Sequence, residues 1–431
     1  MKFKKIILVL LLFVCSEGLS QSIYDKLSDE EKIYGLSKLW KEIEYNFAFI
    51  DQLNFDLDSL YMVTIPKVVN AKNNFEYIAV LSAFMKNFND GHTAVWTNQF
   101  FWDEADYPPL EVKKERGKYL VSKIDESLVD RIPIHSEVLS VDGEDYESAS
   151  KSRPYGALLG YRDSTSVFTF KTPKGEFVEE LIKRNYNASW KKDPIKMVPN
   201  FKSIGDKKAY NYQLKNNISI LTLNSFRESI IVDSFKTDVK KINMSKALII
   251  DVRENGGGNG DYALELAKHL VKKNYVLTPS WKTRTHNAAQ KAWASLNITS
   301  PNNPYAKKYK DYYNTYQWEE HQSDSIYIST NIEKIEVPIL ILIGENTYSA
   351  AEDFLIYLAS NENIKFIGEN SAGSSGQPLT VELPGGSMAK ICAKRDALPD
   401  GKDYINIGIE PDIKISKDED ALVFALQYLK N

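Results

Sequence analysis

Three short stretches of the chain hold residues whose types and spacing could do chemistry. Ser349, in Thr347-Tyr-Ser-Ala-Ala-Glu352, follows the apolar run Pro338 to Ile343 and opens a helical run through Ala359. A serine at such a junction is held rigidly, and the positive end of a helix favours negative charge beside it. Ser349 is therefore a candidate nucleophile, with the N–H of Ala350 placed to stabilise a tetrahedral intermediate. The same position equally suits a helix N-cap, the commoner use of a serine there. The G-x-S-x-G elbow is missing, which argues against an α/β-hydrolase.

The second stretch is Asp251-Val-Arg-Glu-Asn-Gly-Gly-Gly-Asn259, directly after an apolar strand. Consecutive glycines let backbone N–H groups line a concavity that binds an anion or a developing oxyanion. The Lys-Ser/Thr ending of a nucleotide loop is missing, so phosphate binding is disfavoured, and a flexible turn is the plain alternative. The third stretch is Asn89-Asp-Gly-His-Thr93, at the end of an amphipathic run. His92 titrates near neutrality and can serve as a general base, although a lone histidine is often structural.

The elements that must position these residues read as follows. Leu36, Leu39, Trp40, Ile43 and Phe47 line one helical face, and Ser28 with Glu31 fits a capping box. A second helix runs from Phe75 to Phe88 and stops near Asn89-Asp90-Gly91. Short strands follow at 119–124, 137–141, 166–171 and 176–182, with turns at Asp142-Gly143 and Thr172–Gly175. Beyond them strands at 218–223, 247–252 and 337–343 alternate with helices at 231–242, 262–271 and 350–359. That rhythm predicts an α/β core, a mixed sheet with flanking helices. The fold expected is this core plus an N-terminal helical segment and a small β-rich domain. The long stretch from Tyr275 to Ile332 reads as a lid or a substrate-contacting insertion.

Composition bounds the function classes. The chain has 431 residues, 43% hydrophobic and 26% charged, with a formal net charge of −4. It lacks the basic excess of a nucleic-acid binder. Lys2, Lys4 and Lys5, the apolar run Ile6 to Val14 and the small residues Gly18-Leu19-Ser20 predict a signal peptide at 1–20 and hence export. Cys15 offers a lipidation site, but Val14 stands where a small residue is usual. No other run is long enough to span a membrane, so no integral membrane segment is expected after signal removal. Cys392 alone remains in the mature chain, so no internal disulfide is expected. The scattered histidines His92, His135, His269, His286 and His321 predict neither metal nor cofactor.

Together these segments resemble the tail-specific, or C-terminal-processing, serine peptidase family, in particular its tricorn-like branch. The resemblance rests on Leu39-Trp40 with Tyr45-Asn-Phe47, Asp90-Gly-His-Thr93, Asp251-Val-Arg-x-Asn-x-Gly-Gly258, Ser349-Ala-Ala-Glu352 and Gly408-Ile-Glu-Pro-Asp412. It implies a division into a helical segment at 21–100 carrying the histidine, a PDZ-like domain at 105–186 and a peptidase core at 195–431. It also implies a Ser349 nucleophile, a His92 base and an oxyanion hole of the Gly257 and Ala350 N–H groups. The substrate would be a peptide or unfolded protein, its end recognised by strand addition to the PDZ-like domain.

Two departures stand out. Ser374 occupies the place of the lysine base used by one branch, which throws the work onto His92. Ile405-Asn-Ile407 supplies no acid before Gly408, leaving Glu352, Asp90 or Glu410 to orient the histidine. The alternatives are a catalytically silent peptide-binding protein and an esterase or amidase using the same groups.

Overall fold

The computed structural model describes residues 27–430 apart from 98, 116, 154, 187–196, 199–207, 298–303, 375 and 417–418. The predicted signal peptide and Cys15 lie outside the described residues. Ser28 caps the helix Asp29–Asn46: its hydroxyl accepts the Glu31 N–H at 3.2 Å while the Glu31 carboxylate accepts the Ser28 N–H at 2.8 Å. This reciprocal pair is the capping box expected from the sequence. Helices Leu57–Val69 and Asn74–Lys86 follow, the second burying Ile78, Leu81, Phe84 and Met85. It ends before Asn89, which takes a left-handed φ of 47°.

The core under these helices also takes in Val381, Leu383, Ala389, Ile391 and Cys392 from the far end of the chain. The strand Ala94–Trp96, immediately after His92, pairs antiparallel with Met388–Cys392, which in turn pairs with Pro378–Glu382. Sequence reading assigns these last two strands to the α/β core. Nothing local could show that they fold back to brace the helical segment.

The β-rich unit is an antiparallel sheet. Strands Leu110–Glu115, Lys118–Asp125, Glu137–Val141, Thr165–Lys171 and Phe177–Lys183 share it, with a helix at Tyr146–Ser152 and a separate core around Val121, Ile124, Phe168 and Phe170. Asp142 and Gly143 both take positive φ, 52° and 79°, as a tight hairpin turn requires.

The α/β unit is a six-stranded sheet in the order Tyr210–Lys215, Ile218–Leu223, Leu248–Asp251, Ile339–Ile343, Ile364–Gly368, Ile413–Lys414. Its first pair is antiparallel and every other pair parallel. Alternate residues of each strand point to opposite faces, so both faces need cover. Helices Ile230–Asn243, Gly260–Leu270 and Ala350–Leu358 pack Phe235, Leu266 and Phe354 into one core. Ala421 and Ala425 of the last helix close the other over Ile249, Leu342 and Ile367. All five residues of the central strand Ile339–Ile343 are buried as a result.

The described residues of the stretch from Tyr275 to Ile332 form strands and helices of their own. Its strand Ser280–Thr285 pairs with both Gln317–His321 and Lys394–Ala397, and Arg284 Nη1 donates to the Glu44 carbonyl at 2.7 Å. The insertion is thereby tied to the end of the first helix.

Where the glycine loop leaves the sheet, the Phe226 N–H donates to the Gly257 carbonyl and the Asn259 N–H to the Phe226 carbonyl, both at 2.9 Å. Gly258 between them has a φ of 145°, and a Cβ there would lie 2.4 Å from the Phe226 carbonyl carbon. Gly258→Ala is therefore expected to destabilise the fold by at least about 1–3 kcal/mol, the usual cost of such backbone strain. The midpoint of urea unfolding measures it.

Candidate active site

Strands Leu248–Asp251 and Ile339–Ile343 are parallel neighbours, with Asp251 opposite Leu342. Their carboxyl ends therefore open side by side, the usual place for a site in such a sheet. The glycine loop leaves one and the Ser349 turn the other. Thr347 Oγ1 donates to the Val252 carbonyl at 2.9 Å and the Tyr348 N–H to the Asn255 carbonyl at 3.0 Å, which laces the two turns together. Ser349 takes φ 57° and ψ −124°, a conformation that strains a residue with a Cβ. A Cβ on Gly257 would stand 2.8 Å from that of Ser349 and 3.0 Å from the Ala350 nitrogen, so the loop can approach the serine only as glycine.

The strained turn is held from behind by Glu352, which is fully buried. Its Oε1 accepts from Ser371 Oγ at 2.6 Å and the Gly373 N–H at 2.7 Å. Its Oε2 accepts from the Ser374 N–H at 2.9 Å, the Ser349 N–H at 3.3 Å and the Ser374 hydroxyl. Ser374 Oγ also accepts the Ser349 N–H at 2.7 Å. Burial pushes the Glu352 carboxyl above its ordinary range, and these donors oppose the shift. Glu352 is thus committed to the Ser349 turn and the 371–374 loop, a different task from the orientation of His92 expected of it. Ser374, in the place of a lysine, serves the same network.

His92 arrives from outside the sheet. The motif loop closes on Asp90, whose Oδ2 accepts from the His92 N–H at 3.2 Å and from Thr93 Oγ1 at 2.6 Å. Thr93 Oγ1 in turn accepts the Cys392 N–H at 3.0 Å, fastening the loop to the returning strand. So placed, His92 Nε2 lies 3.3 Å from Ser349 Oγ. Its Nδ1 lies 3.4 Å from the Tyr348 hydroxyl, and the two rings stack with centroids 5.1 Å apart. Burial holds the imidazole pKa down to about 4; Asp396 pulls it up, and Lys390 and Lys394 push it further down.

The structure therefore brings Ser349, His92, Ala350 and Gly257 into one place, but three details depart from expectation. The Gly257 N–H donates to Asn255 Oδ1 at 2.9 Å, so it meets an oxyanion only by sharing or leaving that bond. Glu410 is exposed and pairs with Lys402 at 3.6 Å. Asp90 bonds its own loop rather than the His92 ring. Sequence reading missed Tyr348 and Asp396. The first stands directly before the serine candidate and carries no signal of its own, and the second sits in the charged strand Lys394–Ala397, where its Oδ1 pairs with Lys394 at 2.9 Å. Among the described residues no cluster of histidine, cysteine, aspartate or glutamate could hold a metal ion.

Residues 217–415 match the model of peptidase family S41. A CtpA-like serine protease of Staphylococcus epidermidis is 25% identical over 250 residues, covering 56% of this chain and 41% of that protein. One from Staphylococcus haemolyticus is 23% identical over 218 residues, covering 48% and 35%. The chain thus spans well under half the length of the curated relatives it matches. The structure of mature CPAF complexed with lactacystin superposes with a TM-score of 0.61 at 15% identity, over 93% of this chain and 97% of that one. The match to peptidase family S41 thus falls on the α/β core, in line with the resemblance that the motifs carry.

Replacing Glu352 by Gln keeps its shape but turns one acceptor oxygen into a donor facing other donors. Glu352→Gln is expected to cost about 1–3 kcal/mol, as an unsatisfied buried polar group does. Thermal unfolding followed by circular dichroism reads that loss.

Proposed function

We propose that this protein is an exported serine endopeptidase that cleaves unfolded or tail-exposed polypeptides with Ser349 as nucleophile and His92 as general base. The observation that carries the proposal is the 3.3 Å approach of His92 Nε2 to Ser349 Oγ, within the looser range of a site without substrate. In the acylation step Ser349 Oγ attacks the scissile carbonyl carbon as His92 takes its proton. The carbonyl oxygen gains the negative charge and meets the Ala350 N–H at the helix N-terminus, with Gly257 as the second donor. His92 then gives the proton to the departing amine, and a water molecule repeats the sequence to free the acyl group. The β-rich unit at 105–186 is read as a PDZ-like module that takes a chain end by strand addition. Among the described residues no helix is long and apolar enough to cross a membrane.

Ser349→Ala is expected to abolish hydrolysis of an unfolded protein such as casein while leaving the circular dichroism spectrum unchanged. Undiminished cleavage by that variant would remove Ser349 from the mechanism. Comparing protein, peptide and ester substrates then separates a peptidase from an esterase.

The depressed pKa of His92 also makes a prediction. The imidazole must be neutral to act as a base, and it is protonated only below its folded-state value. kcat/KM should therefore hold through weakly acidic pH and fall as pH drops through about 4, not through the ordinary 6.5. An acid limb near 6.5 would show instead that burial does not hold the imidazole pKa down.

A further inference from the structure

A serine–histidine pair works only if the histidine nitrogen facing the serine is the one without a proton. In this site Nε2 faces Ser349 Oγ, so the ring proton belongs on Nδ1 and needs an acceptor there. The sequence offers three carboxylates for that task, and none of them is found on it: Glu352 is bound to the 371–374 loop, Asp90 to its own motif loop, and Glu410 to Lys402. The group that meets Nδ1 is the Tyr348 hydroxyl, at 3.4 Å.

We propose that Tyr348 is the positioning residue of this site, its phenolic oxygen accepting the Nδ1 proton of His92 and its ring fixing the plane of the imidazole. The inference rests on the Ser349–His92 reading. Three observations carry it. The hydroxyl and Nδ1 are in reach of each other. The rings stack with an interplanar angle of 25°. Gly91, the residue before His92, leaves the space that the hydroxyl fills: a Cβ there would lie 1.9 Å from the Tyr348 oxygen. Tyr348 is also the neighbour of the nucleophile, so one strained turn delivers both the serine and the group that aligns its base.

The phenol suits the task. Burial raises its pKa, so it stays protonated and neutral, with an oxygen lone pair for the Nδ1 proton. Its own O–H can donate to water, because Tyr348 lines a cavity of about 580 Å³ together with Asp90, Gly91, Tyr155, Ser374 and Asn406. A neutral acceptor selects the tautomer without adding charge beside the ring. The carboxylate that favours the imidazolium electrostatically is Asp396, from the returning strand Lys394–Ala397.

The test is Tyr348→Phe in the full chain, which keeps the ring and removes only the hydroxyl. kcat for peptide hydrolysis is expected to fall roughly 10-fold or more, short of the about 10²–10⁴ that a general base supplies, while KM holds. The direct readout is the tautomer of His92, followed by ¹⁵N NMR of histidine-labelled protein and assigned by loss of its signal in His92→Gln. The Nδ1–H form should dominate in the parent protein and give way to Nε2–H in the variant. Gly91→Ala, which displaces the hydroxyl without deleting it, should shift the tautomer in the same direction. An unchanged tautomer in Tyr348→Phe would overturn the proposal, whatever happens to kcat, because the hydroxyl would then act elsewhere. The tautomer is measured without turnover, so it stands apart from the peptidase reading: hydrolysis surviving in Ser349→Ala would sink that reading alone.

Discussion

The site depends on the parallel pairing of Leu248–Asp251 with Ile339–Ile343. Parallel neighbours release their chains at the same edge of a sheet, so the glycine loop and the Ser349 turn emerge side by side. The next strand, Ile364–Gly368, is parallel as well and delivers the 371–374 loop to the same edge. Three successive strand ends thus supply Ser349, its neighbouring backbone donors and the loop that holds it. An antiparallel partner at either place would send one of these turns to the opposite edge.

Only the histidine comes from elsewhere, and a different interaction carries it. The strand that follows it is sewn to Met388–Cys392, and Thr93 ties the loop to Cys392. Because Lys394–Ala397 follows directly and pairs with the insertion strand Ser280–Thr285, the returning segment links helices, insertion and core. Arg395 strengthens the junction, donating from Nε to the Ala48 carbonyl at 2.8 Å and pairing with Asp51. The approach of His92 to Ser349 is therefore set by packing between distant parts of the chain.

The price of this geometry is concentrated in a few residues. Ser349 holds a positive φ with a Cβ, and Glu352 keeps a carboxyl out of water. Both are tolerated because each is over-determined: the serine turn is bonded to Asn255, Ser374 and Glu352, and the glutamate has donors on both oxygens. Such rigidity fits the proposed chemistry, in which the serine oxygen must lie where the histidine can reach it.

Much of the local structure was legible in the residues themselves. The Ser28–Glu31 capping box, the buried face of Asn74–Lys86, the Asp142-Gly143 turn and the apolar strands of the core all follow from hydrogen bonds and side-chain periods that close within a few residues. The motifs also named Ser349, His92, Ala350 and Gly257. What they could not show was that Glu352 braces the turn instead of the histidine, that Gly257 donates to Asn255, that Tyr348 meets Nδ1, or that residues 378–392 return to the N-terminal helices. Each of these turns on strand register and on packing between segments far apart in sequence. Spacing along a chain carries the elements and the candidate chemistry; only the folded sheet and the helices laid against it decide which of those groups meet.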